Sequence, residues 1–147
     1  MANLYGVDNI CFGTSLSQGP QQTCPANTDT LIFSFALNPP GSNGFFTPVC
    51  YGYAAITLGA TPPSSLAWGF KVLGGSYLAN LSGHPGVLIA NNNFSMPMAF
   101  GPFASLAIQN PTGPTTFQVY LQVGNQPVTC ANNGSFAWCF WIRAPDQ

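Results

Sequence analysis

Between Leu31 and Leu37 the chain reads LIFSFAL, and every second residue (Leu31, Phe33, Phe35, Leu37) is large and apolar. From Thr115 to Val123, TTFQVYLQV sets Phe117, Val119, Leu121 and Val123 against Gln118, Tyr120 and Gln122. A period of two marks an extended strand with one face buried. Weaker runs of the same kind occupy Val49 to Leu58, Leu66 to Leu73, Ser76 to Leu81, Gly86 to Ala90, Phe103 to Ile108 and Phe136 to Ile142. The gaps between them hold NPPGSNGFFTP, TPPSS, SGHPG, NPTGPT, GNQP and NNG, all rich in turn-forming residues. No segment shows a helical period, and 14 prolines with 16 glycines work against one.

This pattern predicts an all-β, single-domain antiparallel β-sandwich of jelly-roll type, with about eight to ten short strands and essentially no helix. A small β-barrel is the alternative closure. Residues 1–147 read as one β domain, with 1–30 as an N-terminal arm or loop region, 31–143 as the β core and 144–147 as a tail. The stretch from Cys11 to Thr30, CFGTSLSQGPQQTCPANTDT, is too polar for a core role and reads as loop.

The last strand is unusual because both of its faces are apolar. In CANNGSFAWCFWIRAPDQ, Phe136, Trp138, Phe140 and Ile142 fall on one side, and Ala137, Cys139, Trp141 and Arg143 on the other. An edge strand with one wet face would waste that surface. The ANNGS segment reads as a hairpin turn that sets Cys130 opposite Cys139, and the face led by Trp141 and Arg143, with Phe140 beside it, is the expected contact with a neighbouring subunit.

Charge changes the picture further. The chain has 2 Lys+Arg and 3 Asp+Glu, a net charge of -1, and only 3% charged residues. Ordinary soluble domains carry roughly 25%. Asn, Ser, Thr and Gln take over as surface formers, with 43 of 147 residues. Such a surface barely repels copies of itself, so self-association is favoured and salt should matter little. Two basic residues cannot displace counterions from a phosphate backbone, which excludes nucleic acid as a partner. The longest apolar runs fall far short of the roughly 20 residues needed to cross a bilayer, which argues against a membrane role. MANLYGVDNICFG shows neither a basic n-region nor an apolar h-region, so no signal peptide is expected.

Five cysteines without CxxC spacing point away from zinc and toward disulfides. Proximity along the chain favours Cys11 with Cys24 and Cys130 with Cys139, and leaves Cys50 free or bridging to another subunit. No cofactor or metal is expected. A catalytic triad is improbable on this inventory: His84 is the sole imidazole, in a turn-like SGHPG, with Ser82 nearby and the aspartates near the chain ends. A non-enzymatic protein is therefore expected. Sugar binding is the chemical alternative, with Trp68, Tyr51, Tyr53 and Asn92 as the first candidates, since lectin-like sites stack a ring face on an aromatic side chain.

Together these features describe a chain made inside a cell and serving outside it. They resemble, as a class, the small all-β decoration and spike subunits of viruses. The expected role is a capsid-decorating, cementing, spike or fibre subunit of a viral or phage particle, released from the cytoplasm with the virion. It would form a homo-oligomer such as a trimer and contact a major capsid or other virion protein. A lectin-like module of a fibre or secreted protein, or a secreted or cell-surface filament subunit, are the alternatives.

Overall fold

The computed structural model of the chain describes residues 12–19, 21–82, 88–103 and 105–144. Its strands are β1 (Phe12–Gln18), β2 (Gln22–Cys24), β3 (Asp29–Leu37), β4 (Phe45–Leu58), β5 (Leu66–Val72), β6 (Tyr77–Ser82), β7 (Asn93–Phe100), β8 (Ile108–Gln109), β9 (Thr115–Val123) and β10 (Val128–Arg143). Among the described residues there is no helix. The strands form a six-stranded sheet ordered β1-β10-β4-β7, with β2 also on β10 and β8 on β4, and a four-stranded sheet ordered β3-β9-β5-β6. All pairings are antiparallel. The sheets pack as a sandwich and do not close into a barrel.

The pairing is nested. β5 pairs β6, β4 pairs β7, β3 pairs β9 and β1 pairs β10, so the chain is one long folded-back ribbon wound across two sheets. That is the jelly-roll path. Two strands arise inside the stretch expected to be an arm: β1 and β2 both lie on β10, at the edge of the larger sheet. Of the run Gly86 to Ala90, the described part, Leu88 to Ala90, lies outside any strand. The run Phe103 to Ile108 reduces to the short β8.

β7 (NFSMPMAF) has the expected alternation, with Met96, Met98 and Phe100 buried and Ser95, Pro97 and Ala99 exposed. Its Pro97 is tolerated because β7 is an edge strand, where one side of the ladder needs no donor.

The ANNGS segment is not a hairpin turn. β4 runs unbroken past it, pairing Ala55 with Ala131 on one side and Tyr53 with Phe136 on the other, so the extra residues of β10 bulge out of a single strand. Gly134 takes φ 82°, a left-handed conformation that glycine adopts without penalty. Ser135 closes the gap: its Oγ donates to the Ala131 carbonyl and accepts from the Ala55 amide at 2.9 Å. The turn chemistry of Asn-Gly-Ser is spent on a bulge.

The core has a division of sizes. The smaller sheet contributes Phe33, Phe35, Trp68, Phe70 and Phe117, all fully buried. The larger sheet presents Cys50, Ala54, Ala137 and Cys139 at its centre, equally buried. These small side chains, together with the larger sheet's own Phe46, Met96, Phe100 and Trp141, meet the rings of the smaller sheet across the roughly 10 Å space between sheets. Phe70 anchors it, stacking with Phe100 (5.2 Å between ring centroids), Phe117 (5.4 Å) and Phe103 (5.5 Å).

Candidate functional site

The inward parity of β10 settles which of its apolar faces is available. Ser135, Ala137, Cys139 and Trp141 point into the core, so Phe136, Trp138 and Phe140 point outward from the larger sheet. On β4, the direct partners of Trp138 and Phe136 are Tyr51 and Tyr53. The rings interlock: Tyr51 stacks on Trp138 at 5.3 Å and 16°, and meets the edge of Phe140 at 6.1 Å. Tyr53 meets Phe136 at 6.4 Å and Trp138 at 6.5 Å. Tyr51 is 46% and Tyr53 38% exposed, while the three β10 rings are half-buried. Across β4 from the tyrosines lie Ala99 and Pro97 of β7, which extend the apolar surface without adding a polar group. The result is a continuous aromatic face on a rigid sheet.

Of the expected interface residues, only Phe140 belongs to this face. Trp141 is fully buried, its indole N–H donates to the Asn38 carbonyl at 3.1 Å, and its ring meets Phe117 edge-on at 5.4 Å. A neighbour cannot reach it. Arg143 folds over the Phe46 ring at 5.0 Å and donates to the Asn43 carbonyl (2.7 Å) and Ser42 Oγ (3.0 Å), which pins the 41–44 loop.

The sugar candidates are likewise separated. Trp68 is a core residue, its indole N–H donating to the Pro97 carbonyl at 3.1 Å and so tying the two sheets together. Asn92 sits by the far end of β4, where its carbonyl accepts from the Leu58 amide. Tyr51 and Tyr53 stay adjacent, but the side chains around them are apolar. A shallow groove of about 360 Å³ is lined by Ala55, Thr57, Asn93, Phe94 and Ser95 among others. Among the described residues, no group of three or more His, Cys, Asp or Glu is placed to hold a metal ion. His84 lies outside the described residues.

Sequence reasoning missed a polar cluster on the outer face of the smaller sheet. Tyr77, on edge strand β6, lies flat over Gly69 of β5, where a Cβ would come within 2.4 Å of its ring. Its hydroxyl donates to Asp29 Oδ2 at 2.6 Å, on the opposite edge strand β3, so one side chain clasps the whole sheet. Lys71 Nζ sits 4.5 Å from the Tyr120 ring centroid and 5.3 Å from that of Tyr77. Burial, followed by the hydrogen bond and charge of Asp29, holds the Tyr77 phenol above its ordinary range. Each charged side chain among the described residues (Asp29, Lys71, Arg143) is thus engaged within the fold. The signal for this cluster is scattered over many residues of sequence, which hides it from any local reading.

No protein-family model and no curated protein matches the chain. Among solved structures, it is similar to a chain of infectious bursal disease virus, Gx strain, with 11% identity and a TM-score of 0.49, over 90% of this chain and 32% of that one. It is similar to the Eiger TNF of S. frugiperda at 11% identity and 0.49, over 94% and 95% of the two chains. A third likeness is to VP2 in a subviral particle of infectious bursal disease virus, at 9% identity and 0.44, over 90% and 38%. This chain therefore spans about a third of the length of the viral chains and nearly all of the TNF.

The cysteines depart from the expected pairing. Cys130 and Cys139 lie on one strand, opposite Ile56 and Cys50 of β4, and the six residue steps between those partners span roughly 20 Å, far beyond disulfide reach. Cys24, Cys50, Cys130 and Cys139 are buried thiols, and Cys50, expected to be free or bridging to another subunit, faces Cys139 across β4 and β10. Cys11 lies outside the described residues. Burial, with the neighbouring Cys130, pushes the Cys24 thiol up to about 11 from its ordinary 9.0, and burial also raises Cys130.

A raised thiol pKa means that the fold prefers the protonated form. Below pH 9 the thiol is protonated in both states and stability is unaffected; between 9.0 and about 11 the unfolded chain ionises first and stability falls. Urea midpoints measured from pH 6 to 10.5 should therefore be flat to about pH 8.5 and decline above it. A midpoint that rises through pH 10 would contradict this environment for the thiols.

Proposed function

We propose that this chain is a structural, non-enzymatic coat subunit of a virus particle, which decorates or cements the particle through repeated contacts between jelly-roll copies. The carrying observation is the aromatic face of the larger sheet: the exposed Tyr51 and Tyr53 and the half-buried Phe136, Trp138 and Phe140 form one outward-facing surface in a chain with a net charge of -1. A patch of stacked aromatics on a monomer is a contact surface by its physics, because its burial removes apolar area from water at little conformational cost. Aromatic side chains dominate the energetic centres of protein interfaces.

Low charge favours a second copy of the chain as the partner. Two copies of a neutral face approach each other without repulsion, and no complementary charged partner is called for. A symmetric homo-oligomer, such as a trimer, is the assembly this favours, with a major capsid or other virion protein beneath it and an extracellular site of action after release from the cell. The apolar surroundings of Tyr51 and Tyr53 make a sugar site the weaker reading, since hydroxyls would find few side-chain partners there.

Sedimentation velocity tests the proposal. The expected result is an assembled species in dilute buffer that persists in 1 M NaCl, because its contacts hold few ion pairs for salt to screen. A monomer at all concentrations, or an assembly that dissociates in salt, would overturn it.

A further inference from the structure

The centre of the larger sheet holds a second feature, independent of whether copies assemble. Cys50 and Cys139 are direct partners in the β4–β10 register, and both are fully buried. Residues directly opposite in an antiparallel pair have Cα atoms about 4.5 or 5.5 Å apart, depending on whether the pair is hydrogen-bonded. Either value falls within the roughly 4.4–6.8 Å that a disulfide requires. Both side chains point to the inner face, since each lies between outward-facing neighbours: Val49 and Tyr51 on one strand, Trp138 and Phe140 on the other.

Cys24 and Cys130 are also near each other but fail the same test. Cys24 pairs with Val128, and Cys130 pairs with Gln22, so the two cysteines are diagonal partners. Diagonal partners are about 7–8 Å apart, beyond the roughly 4.4–6.8 Å between Cα atoms that a disulfide requires. Cys130 Sγ instead lies 3.7 Å from Ser135 Oγ, engaged at the bulge.

We propose that Cys50 and Cys139 form a disulfide when the chain folds in the presence of a small-molecule disulfide, and that Cys24 and Cys130 remain thiols. The chemistry is thiol–disulfide exchange. One cysteine thiolate attacks the small disulfide and expels one small thiolate; the second attacks the resulting mixed disulfide and expels the other. Two thiol groups lose two electrons in total, the small disulfide gains them, and both thiol protons end on the two released small thiols. Because the pair is enclosed, exchange takes place while β4 and β10 are still open to solvent, and the finished bond is sheltered from reductant. It would fasten the two strands that carry the aromatic face, one residue from the Tyr51–Trp138 pair. It would also close a loop spanning most of the chain, a large restriction on the unfolded state.

The test is to refold the full chain in a mixture of reduced and oxidised glutathione, alkylate the remaining thiols, digest and map the peptides by mass spectrometry. The expected result is Cys50 joined to Cys139, with Cys24 and Cys130 alkylated. Alkylated Cys50 and Cys139 in the folded, oxidised protein, or either one joined to another cysteine, would overturn the proposal. A second measurement covers the consequence. Reduction under unfolding conditions, followed by refolding without oxidant, should lower Tm by roughly 10 °C in the wild type and in Cys24→Ala. The Cys50→Ala/Cys139→Ala variant should show no such dependence. A double variant that keeps the reductant-dependent shift would contradict the assignment.

Discussion

Trp141→Ala is expected to destabilise the domain by about 3–5 kcal/mol, a large share of the 5–15 kcal/mol that holds a typical domain folded. Three losses add up at that position. The ring is fully buried and leaves a cavity between the sheets. Its edge-on contact with Phe117 at 5.4 Å disappears. The Asn38 carbonyl loses its 3.1 Å donor. Urea denaturation at fixed protein concentration should show a lower midpoint with an unchanged slope. Trp138→Ala, three residues earlier and on the outer face, should cost well under half as much in the same measurement. Equal costs for the two would mean that the parity of β10 is wrong.

The opposite ordering is expected for assembly. Tyr51→Ser/Trp138→Ser removes the stacked pair at the middle of the outer face and leaves the core untouched. Central aromatic residues of an interface typically contribute 2 kcal/mol or more each, so the double variant should weaken self-association on the order of 100-fold or more. In sedimentation equilibrium, concentrations that assemble the wild type should leave the variant monomeric, with its far-ultraviolet circular dichroism unchanged. Wild-type assembly in the variant would remove the aromatic face from any role in contact between copies.

The sequence made some of this visible and hid the rest for physical reasons. β3 and β9 were plain from Phe33, Phe35, Phe117 and Val119, because one face of each strand is apolar and the other is not. β7 was obscured by Pro97, although Met96 and Met98 keep the period; an edge position excuses the proline, and edges are not evident without the topology.

β10 was the harder case. With apolar residues on both faces, parity alone cannot choose between them, and size suggests that Phe136, Trp138 and Phe140 go inside. The inner face of β10 is small at Ala137 and Cys139 and large at Trp141, while the facing sheet supplies Phe33, Trp68 and Phe70. Volume is shared across layers, and no single strand records it. The Asn-Gly-Ser turn signal was likewise real, but β4 running alongside converts the turn into a bulge. The clasp from Tyr77 to Asp29 and the opposition of Cys50 and Cys139 join positions far apart in the chain, and depend on register alone.

On assembly, the aromatic face of the larger sheet is expected to be buried between copies. Hydroxyl-radical footprinting tests it residue by residue, with the protein compared above and below its assembly concentration. Tyr51, Tyr53 and Trp138 should lose most of their reactivity on assembly, relative to exposed apolar positions away from the face such as Leu73 (60% exposed) and Ile89 (61%). Rings that stay as reactive in the assembly as in the monomer would contradict the account.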